Sequence, residues 1–355
     1  MMQRFVLVLA AHGLAPASGC GHGGAPGSTA PAIDGAAPIA ESRYVRAGGI
    51  DQWITIRGKR RDNPILLILH GGPGNAWSAF TDQVFGADWT EHFTVVQWDQ
   101  RGAGRTFGKT GPSIASTMTV ERMAQDGIEV TRFLEHELQQ PRIILTGASW
   151  GSILGVHMVK ARPELYCAYV GVAQVVHMKQ LLAASYRRTL EAARAAANAQ
   201  AIEELTAVGP PPWHTLREAV TPLRWARMLE SQDDQAFDVA LSPDYGSQKD
   251  GEDRQAAGDL SATHLVGPTA EGPLMQVDLP ALGTRFEVPV VLIQGGQDLR
   301  TVPELTRAYF DRIEAPYKQL FVEPGSGHEP TKRSLKLWRT VLDETIRPRC
   351  PGRAP

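Results

Sequence analysis

Short apolar runs recur along the chain, and several of them lead directly into glycine-rich turns. They lie at residues 65–69, 143–145, 169–172, 290–293 and 319–322. A run without polar alternation is typical of a strand that is covered on both faces of a parallel sheet. The pattern therefore predicts an α/β fold, with a mostly parallel central sheet flanked by helices.

The pattern changes between residues 177 and 285, where the chain is rich in alanine and charged residues. Apolar positions from 181 to 205 keep a helical period and give one apolar face. A Gly-Pro-Pro-Pro segment at 209–212 ends that stretch, because proline cannot continue a helix. A second helix is expected at 216–230, whereas residues 242–272, rich in Gly, Asp, Ser and Gln, indicate a loop.

This change of pattern divides the chain into a core and an insertion. We expect a core at 41–176 and 286–347, interrupted by a helical cap at 177–285. Residues 348–355 are expected to be a disordered tail. At 355 residues and 43% hydrophobic composition, the chain can bury a large core as one such domain.

Residues 147–151, which follow the run at 143–145, read Gly-Ala-Ser-Trp-Gly. A buried strand that enters Gly-x-Ser-x-Gly is typical of a nucleophile elbow, in which a sharp turn exposes the serine hydroxyl at the top of a sheet. The two glycines allow the strand and the following helix to approach closely. Ser149 is therefore the candidate nucleophile.

A second glycine-rich segment reads His-Gly-Gly-Pro-Gly at 70–74, directly after the run at 65–69. In serine hydrolases of this layout, one oxyanion-hole donor comes from such a loop and the other from the residue after the nucleophile. The predicted donors are the N–H groups of Gly72 and Trp150, with Gly71 as the alternative to Gly72.

An acid and a histidine follow the last two apolar runs. Asp298 comes after the strand at 290–293, and His328 follows a Gly-Ser-Gly segment after 319–322. The chain order Ser, Asp, His is that of α/β-hydrolases. Ser149, Asp298 and His328 are thus predicted to form a catalytic triad that acts through an acyl-enzyme.

The segments at 70–74 and 147–152, with Trp-Asp-Gln-Arg-Gly-Ala-Gly at 98–104, resemble the prolyl aminopeptidase (proline iminopeptidase) group of α/β-hydrolases. The resemblance covers about 40–175 and 285–345. It implies an α/β-hydrolase fold with an inserted helical cap and release of an N-terminal proline or a similar residue. Asp99 and Arg101 are interpreted as structural, pinning the glycine loop that follows them.

The cap departs from this resemblance. Prolyl aminopeptidases bind a free α-amino group through cap carboxylates, one of them in a Trp-Glu pair, but residues 225–230 here read Trp-Ala-Arg-Met-Leu-Glu. Glu230, Glu203 and Glu204 are the candidates for that role, and exposed helix faces are the competing interpretation for each. A carboxylesterase or a lactonase, including a macrolactone-opening one, is the alternative enzyme. A non-catalytic ligand-binding hydrolase fold is the third hypothesis.

Net charge and motifs limit the partners. The formal net charge is −2 and there is no run of Lys and Arg suited to a phosphate backbone, so nucleic-acid binding is not expected. No dinucleotide motif, Walker loop or Cys/His zinc spacing is present, and we expect neither a cofactor nor a metal. The expected partner is a small-molecule or short-peptide substrate.

The amino terminus has the pattern of a signal peptide at 1–19, with Arg4, an apolar stretch at 5–11 and small residues before Cys20. Cys20 resembles a lipoprotein site, although Ala17 stands where leucine is usual. Export to the periplasm or cell envelope, with Cys20 lipidated and 20–40 as a tether, is the expectation; a cytoplasmic enzyme is the alternative. A disulfide between Cys167 and Cys350 is not expected.

Overall fold

The computed structural model describes residues 35–230 and 239–350, so the predicted signal peptide, Cys20 and most of the predicted tether lie outside the described residues. The described residues form an eight-stranded sheet in the order β1-β2-β4-β3-β5-β6-β7-β8. The strands are β1 (Ile39–Ala47), β2 (Ile50–Gly58), β3 (Ile65–Leu69), β4 (Thr94–Trp98), β5 (Ile143–Ala148), β6 (Tyr166–Val172), β7 (Val290–Gly295) and β8 (Lys318–Glu323).

The direction of the strands follows the connections between them. Strand β2 pairs antiparallel with β1 and β4. From β4 to β8, each described pairing of neighbours is parallel. The predicted mostly parallel sheet is therefore confirmed, and the carboxyl ends of β3, β5, β7 and β8 lie at one edge of it.

The apolar runs form strands because both of their faces are covered. Every residue of β3, β4 and β5 is buried. Along β3, Leu67 joins one apolar cluster while Leu66 and Ile68 join the other. Successive side chains of a strand point to opposite faces, so an uninterrupted apolar run is what a sheet between two helical layers requires.

Helices cover both faces of the sheet. Those that connect or follow the core strands are α1 (Thr81–Val84), α2 (Ala87–Thr90), α3 (Gly104–Thr110), α4 (Val120–Leu138), α5 (Trp150–Ala161), α10 (Pro303–Arg312) and α11 (Lys332–Thr340). Those between β6 and β7 are α6 (Met178–Ala195), α7 (Ala199–Val208), α8 (Leu216–Leu229) and α9 (Gln248–Val266). The last four fall within the predicted cap.

The first predicted cap helix is two helices. Helix α6 ends at Ala195, Ala197 has a φ of 49°, and the Asn198 side chain accepts the N–H of Ala201 to cap α7. Gly209, with a φ of 73°, ends α7 at the predicted place. Helix α8 ends one residue before the predicted boundary.

The prediction of a loop at 242–272 is wrong, because α9 occupies most of it. Ser247 caps this helix by accepting the N–H of Asp250. The buried face of α9 consists of Ala257, Ser261 and Leu265, and the Ser261 hydroxyl donates to the carbonyl oxygen of Gly102 at 3.0 Å. Small side chains on that face let α9 pack closely against the core.

The expectations for the carboxyl terminus are also corrected. A π-helix (Val341–Ile346) and a short 3-10 helix (Arg347–Arg349) continue the chain after α11. Cys350 is buried and forms a disulfide with Cys167 of β6, with a Cα–Cα distance of 5.5 Å. The two cysteines pair because the terminal segment packs back against the sheet beside β6.

Candidate active site

Ser149 lies at the sharp turn between β5 and α5. Its backbone has a φ of 52° and a ψ of −118°, a region that residues with side chains rarely adopt. Its N–H donates to the carbonyl oxygen of Val172 at 2.9 Å, which fixes the turn to the neighbouring strand. The local geometry is therefore that of a nucleophile elbow.

The glycines on either side of Ser149 are required by close packing. A Cβ on Gly147 would lie 2.4 Å from the carbonyl oxygen of Gly151. A Cβ on Gly151 would lie 2.2 Å from the carbonyl oxygen of Leu69, at the end of β3. Since real Cβ contacts are not this short, the strand-turn-helix junction excludes larger residues at both positions.

The structure brings the three predicted triad residues into one hydrogen-bonded chain. The Ser149 hydroxyl lies 3.0 Å from Nε2 of His328. Nδ1 of the same histidine lies 2.9 Å from Oδ2 of Asp298. A nucleophile, a general base and an acid that orients the base would need hydrogen-bond distances of this kind.

Asp298 is fully buried, and its carboxylate accepts several hydrogen bonds. Oδ1 accepts the N–H groups of Arg300 at 2.8 Å and Thr301 at 2.7 Å, and Oδ2 accepts the Thr301 hydroxyl at 2.5 Å and the Gln294 amide at 3.2 Å. Burial alone would raise the pKa of Asp298, but the charge and hydrogen bond of His328 and the bonds from Thr301 hold it below its usual value. Sequence reasoning missed Thr301 and Gln294.

Of the predicted oxyanion donors, Trp150 directly follows Ser149, and Gly72 lines the same cavity as Ser149. Gly72 has a φ of 119°, and a Cβ on Gly71 would lie 3.6 Å from the Cβ of Ser149. Trp150 is the first residue of α5, where backbone N–H groups have no partner within the helix. Their role as oxyanion donors remains a prediction.

Gln100 links the segments that carry these donors. Its amide nitrogen donates to the carbonyl oxygen of His70 at 3.2 Å, and its amide oxygen accepts the indole N–H of Trp150 at 2.9 Å. Nδ1 of His70 lies 2.7 Å from the carbonyl oxygen of Gly71, and Nε2 of His70 accepts the backbone N–H of Gln100 at 3.4 Å. The Asp-Gln-Arg-Gly segment carries part of the family resemblance, but only the structure shows what its glutamine contacts.

A cavity of about 290 Å³ opens beside Ser149 and His328. One part of its wall is apolar and includes Trp77, Leu335 and Trp338. Another part is charged and consists of Arg227, Arg300, Glu323 and Glu329. The triad therefore faces a site with an apolar side and a charged side.

Comparison with known proteins identifies the family. Residues 64–331 match the family described as the alpha/beta hydrolase fold. The chain belongs to this family. The predicted fold class and family resemblance are both confirmed.

Two similar proteins carry the names of peptidases. The protein named "Probable aminopeptidase YbaC" from Bacillus subtilis is 29% identical over 318 residues, which cover 87% of this chain and 97% of that protein. A "Probable proline iminopeptidase" from Streptomyces coelicolor is 28% identical over 169 residues, covering 47% of this chain and 48% of the relative.

Solved structures share the fold at lower identity. Proline iminopeptidase from Mycobacterium smegmatis has a TM-score of 0.60 and 19% identity, covering 87% of this chain and 98% of that one. The epoxide hydrolase VrEH1 from Vigna radiata has a TM-score of 0.53 and 19% identity, with coverage of 87% and 98%. Because both identities are low, these similarities support the α/β-hydrolase fold alone.

None of the three candidate cap carboxylates lines the cavity of this α/β-hydrolase, and two of them lie on the cap surface. Glu203 is exposed on α7. Glu204, on the same helix, accepts the indole N–H of Trp225 at 3.0 Å and pairs with Arg224. Both glutamates lie on the cap surface, as the competing interpretation expected.

Glu230 is buried next to the triad but turned away from the cavity. Its Oε1 accepts the N–H of Leu299 at 3.0 Å, and its Oε2 pairs with the guanidinium of Arg300 at 3.1 Å. The expectation that it is an exposed helix residue is wrong, because two groups of the acid loop neutralise and solvate its carboxylate.

Asp99 and Arg101 have structural contacts, as interpreted from sequence. Arg101 forms a buried ion pair with Asp126 of α4 at 2.7 Å and donates to the carbonyl oxygen of Gly48 at 2.8 Å. Asp99 accepts the N–H of Arg105 at 2.8 Å, near the start of α3. The charge partner of Arg101 is thus a distant helix.

The described residues contain neither a candidate membrane span nor a candidate metal centre. Within 35–230 and 239–350, no helix combines the length and apolar composition needed to cross a membrane. Over these same ranges, no group of three or more His, Cys, Asp or Glu side chains could hold a metal ion.

Acid is expected to destabilise the loop that carries Gly71 and Gly72. Burial lowers the pKa of His70 to about 4, although its hydrogen bond to Gly71 opposes the shift. Because the unfolded histidine titrates near 6.5, this stability is present above that pH and is lost as the pH falls towards 4, by about 2 kcal/mol at pH 5. Urea unfolding of wild type and His70→Asn at pH 7 and pH 5 measures the difference. The same pH dependence in both proteins would contradict a buried neutral His70.

Proposed function

We propose that this α/β-hydrolase is a serine hydrolase that acts through an acyl-enzyme. The observation that carries the proposal is the hydrogen-bonded chain from Ser149 through His328 to Asp298, beside an open cavity. A nucleophile, a base and an orienting acid at these distances form the arrangement that acyl transfer needs.

The proposed reaction has two halves. Ser149 Oγ attacks the substrate carbonyl while Nε2 of His328 takes its proton, and the N–H groups of Gly72 and Trp150 hold the oxyanion. Collapse of the tetrahedral intermediate breaks the bond to the leaving group, which receives the proton from His328. Water then attacks the acyl-enzyme in the same way, releasing the acid and restoring Ser149.

The proposed substrate is an amino-terminal residue amide, with proline or a similar residue released. The alignment with the relative named an aminopeptidase covers 97% of that protein and 87% of this chain. The cavity also contains a carboxylate beside the base: burial would raise the pKa of Glu329, but the charges of Arg300 and His328 hold it below its usual value. An ionised carboxylate at that position is suited to the ammonium group of a peptide amino terminus.

A carboxylesterase or lactonase is the second candidate. One observation favours it: Arg300 pairs with both Glu230 and Glu329, at 3.1 and 2.9 Å. A substrate ammonium would compete with this guanidinium for Glu329. An ester or lactone, which carries no amine, would bind without that competition.

Prolyl-p-nitroanilide distinguishes these functions when it is compared with its N-acetylated form and with a p-nitrophenyl acyl ester. An aminopeptidase should cleave the free-amine anilide and lose on the order of 100-fold in kcat/KM on acetylation, because the substrate then has no ammonium group to pair with Glu329. Cleavage of the ester alone would reject the aminopeptidase and support the second candidate.

We also propose that the protein is exported and works in an oxidising compartment. The signal-peptide pattern at 1–19 supports this, and so does the disulfide between Cys167 and Cys350, because structural disulfides persist mainly outside the reducing cytosol. Fractionation of the source cells tests the location. Recovery of the protein in the cytosol would reject export.

A further inference from the structure

The end of helix α8 contacts the loop that carries the catalytic acid. Glu230 directly follows α8, and its side chain is only 4% exposed. Its Oε1 accepts the backbone N–H of Leu299 at 3.0 Å, and its Oε2 lies 3.1 Å from the guanidinium of Arg300. Leu299 and Arg300 are the two residues after Asp298. The cap therefore bonds to the acid loop immediately beside Asp298.

The same guanidinium continues to the histidine loop. Arg300 pairs with Glu329 at 2.9 Å, and Glu329 lies 3.5 Å from Nε of Arg227, back on α8. We call these four residues, Arg227, Glu230, Arg300 and Glu329, the α8 latch. These residues form a chain of ion pairs. It begins at Glu230, just after α8, continues through Arg300 in the acid loop and Glu329 in the histidine loop, and ends at Arg227 on α8.

Glu230 is also a close neighbour of the histidine loop. A Cβ on Gly327, the residue before His328, would lie 3.4 Å from the Cβ of Glu230 and 3.5 Å from its Cδ. The Glu230 side chain therefore lies directly beside the face of Gly327 that has no side chain, where even a Cβ would touch it. One side chain of the cap is thus bonded to the acid loop and is a close neighbour of the histidine loop.

Arg300 connects Glu230 to the carboxylate of Asp298. Its backbone N–H donates to Oδ1 of Asp298 at 2.8 Å, while its side chain is held by Glu230. A displacement of Arg300 would therefore move a hydrogen-bond donor of the triad. Removing one partner of a buried ion pair is strongly disruptive, because it leaves the other charge uncompensated.

The arrangement leaves little of Glu230 for a substrate. Both carboxylate oxygens are engaged, and the side chain does not line the cavity beside Ser149. A substrate ammonium would have to displace both Arg300 and the Leu299 N–H from this carboxylate. Glu230, which the sequence suggests for amine binding, therefore contacts the acid loop and does not face the cavity.

We infer that Glu230 is a positioning residue, through which the cap holds the acid and histidine loops in the geometry that keeps Asp298, His328 and Ser149 aligned. This inference rests on the proposed serine-hydrolase function. It assigns to the cap a part in the reactivity of Ser149, in addition to any part in binding the substrate.

The test compares Glu230→Gln and Glu230→Ala with the wild type on a p-nitrophenyl acyl ester and on prolyl-p-nitroanilide. Glutamine keeps an acceptor for the N–H of Leu299 but loses the charge opposite Arg300, whereas alanine loses both. We expect kcat to fall about 10-fold for Gln and about 100-fold for Ala on every substrate that the wild type cleaves, with KM changed less than about threefold, because misplacing catalytic groups costs rate. Glu203→Gln is the matched control on the same cap, and it should match the wild type.

Labelling of Ser149 by a fluorophosphonate gives a readout without a substrate amine. Its rate should fall in parallel with kcat in both Glu230 variants, and the Gln variant serves if the Ala variant fails to fold. A rise in KM for the free-amine anilide alone, with ester turnover and labelling unchanged, would overturn the inference and show that Glu230 binds the amine. Unchanged kinetics throughout would also overturn it. A wild type that is neither labelled nor active would reject the serine-hydrolase proposal itself.

Discussion

Replacing Ser149 by alanine is expected to lower kcat by a factor on the order of 10⁵ to 10⁶ on any substrate that the wild type hydrolyses. The Ser149 hydroxyl is the group that would form the covalent bond, and it lies 3.0 Å from the proposed base. Since the nucleophile and base act as one unit, the remaining oxyanion donors can provide only residual catalysis. Steady-state hydrolysis of the p-nitrophenyl ester and of prolyl-p-nitroanilide measures the loss.

The controls separate loss of chemistry from loss of structure. Ser113→Ala, at an exposed position far along the chain from the elbow, should retain wild-type activity.

Asp298→Asn should lower kcat by about 10⁴-fold, because the base then loses its orienting carboxylate. If the wild type turns over nothing and Ser149→Ala binds ligand equally well, the non-catalytic hypothesis is correct and the proposed function is wrong.

The strands and the triad could be predicted because their signals are local. Strand β3 has the bounds of the apolar run at 65–69, and the turns that follow β5, β7 and β8 carry Ser149, Asp298 and His328. Parallel strands place their carboxyl ends at one edge of the sheet, so residues distant in sequence meet there. The fold rule supplies the long-range information that the sequence pattern lacks.

Helix α9 shows why the cap was harder to predict. Its buried face uses Ala257, Ser261 and Leu265, so its apolar stripe is narrow and partly polar. Gly251 and Gly258 meet nothing where a Cβ would be, and they are therefore tolerated on the open side of the helix. Packing against the core and capping by Ser247 stabilise a helix that composition alone would assign to a loop.

The groups around the acid could not be paired from sequence because their partners are distant. Glu230 and Arg300 are separated by 70 residues, and both are residue types that are usually exposed to solvent. Once they form an ion pair, Glu230 is buried and Arg300 is half-buried. Sequence reasoning proposed Glu230 for its position in the cap, but the direction of its side chain depends on how α8 packs against the acid loop.

The disulfide was missed for the same reason. Cys167 lies in a core strand and Cys350 in a segment rich in proline and arginine, and they are separated by 183 residues. Only the return of the terminal segment to the sheet brings them together. That segment also buries Val341, Leu342 and Ile346 against the same apolar cluster as Trp338.

Removing this disulfide is expected to be the largest single loss of stability outside the apolar core. A crosslink that closes a loop of this length restricts the unfolded chain by about 5 kcal/mol in the chain-entropy estimate, an upper value for the native protein. Cys350→Ser should therefore lower the melting temperature by roughly 5–10 °C, and Cys167→Ser should do the same. Thermal unfolding with and without dithiothreitol measures the effect.

Cys20→Ser is the matched control, because it leaves the pair intact while removing a cysteine. Its melting temperature should equal that of the wild type, and dithiothreitol should lower both by the same amount. The reductant should change neither single-cysteine variant of the pair, since no crosslink remains to be reduced. A wild type that is insensitive to reductant and alkylates at Cys167 and Cys350 without it would show that the two thiols are free. In that case the disulfide would no longer support export, and that proposal would depend on the amino-terminal pattern alone.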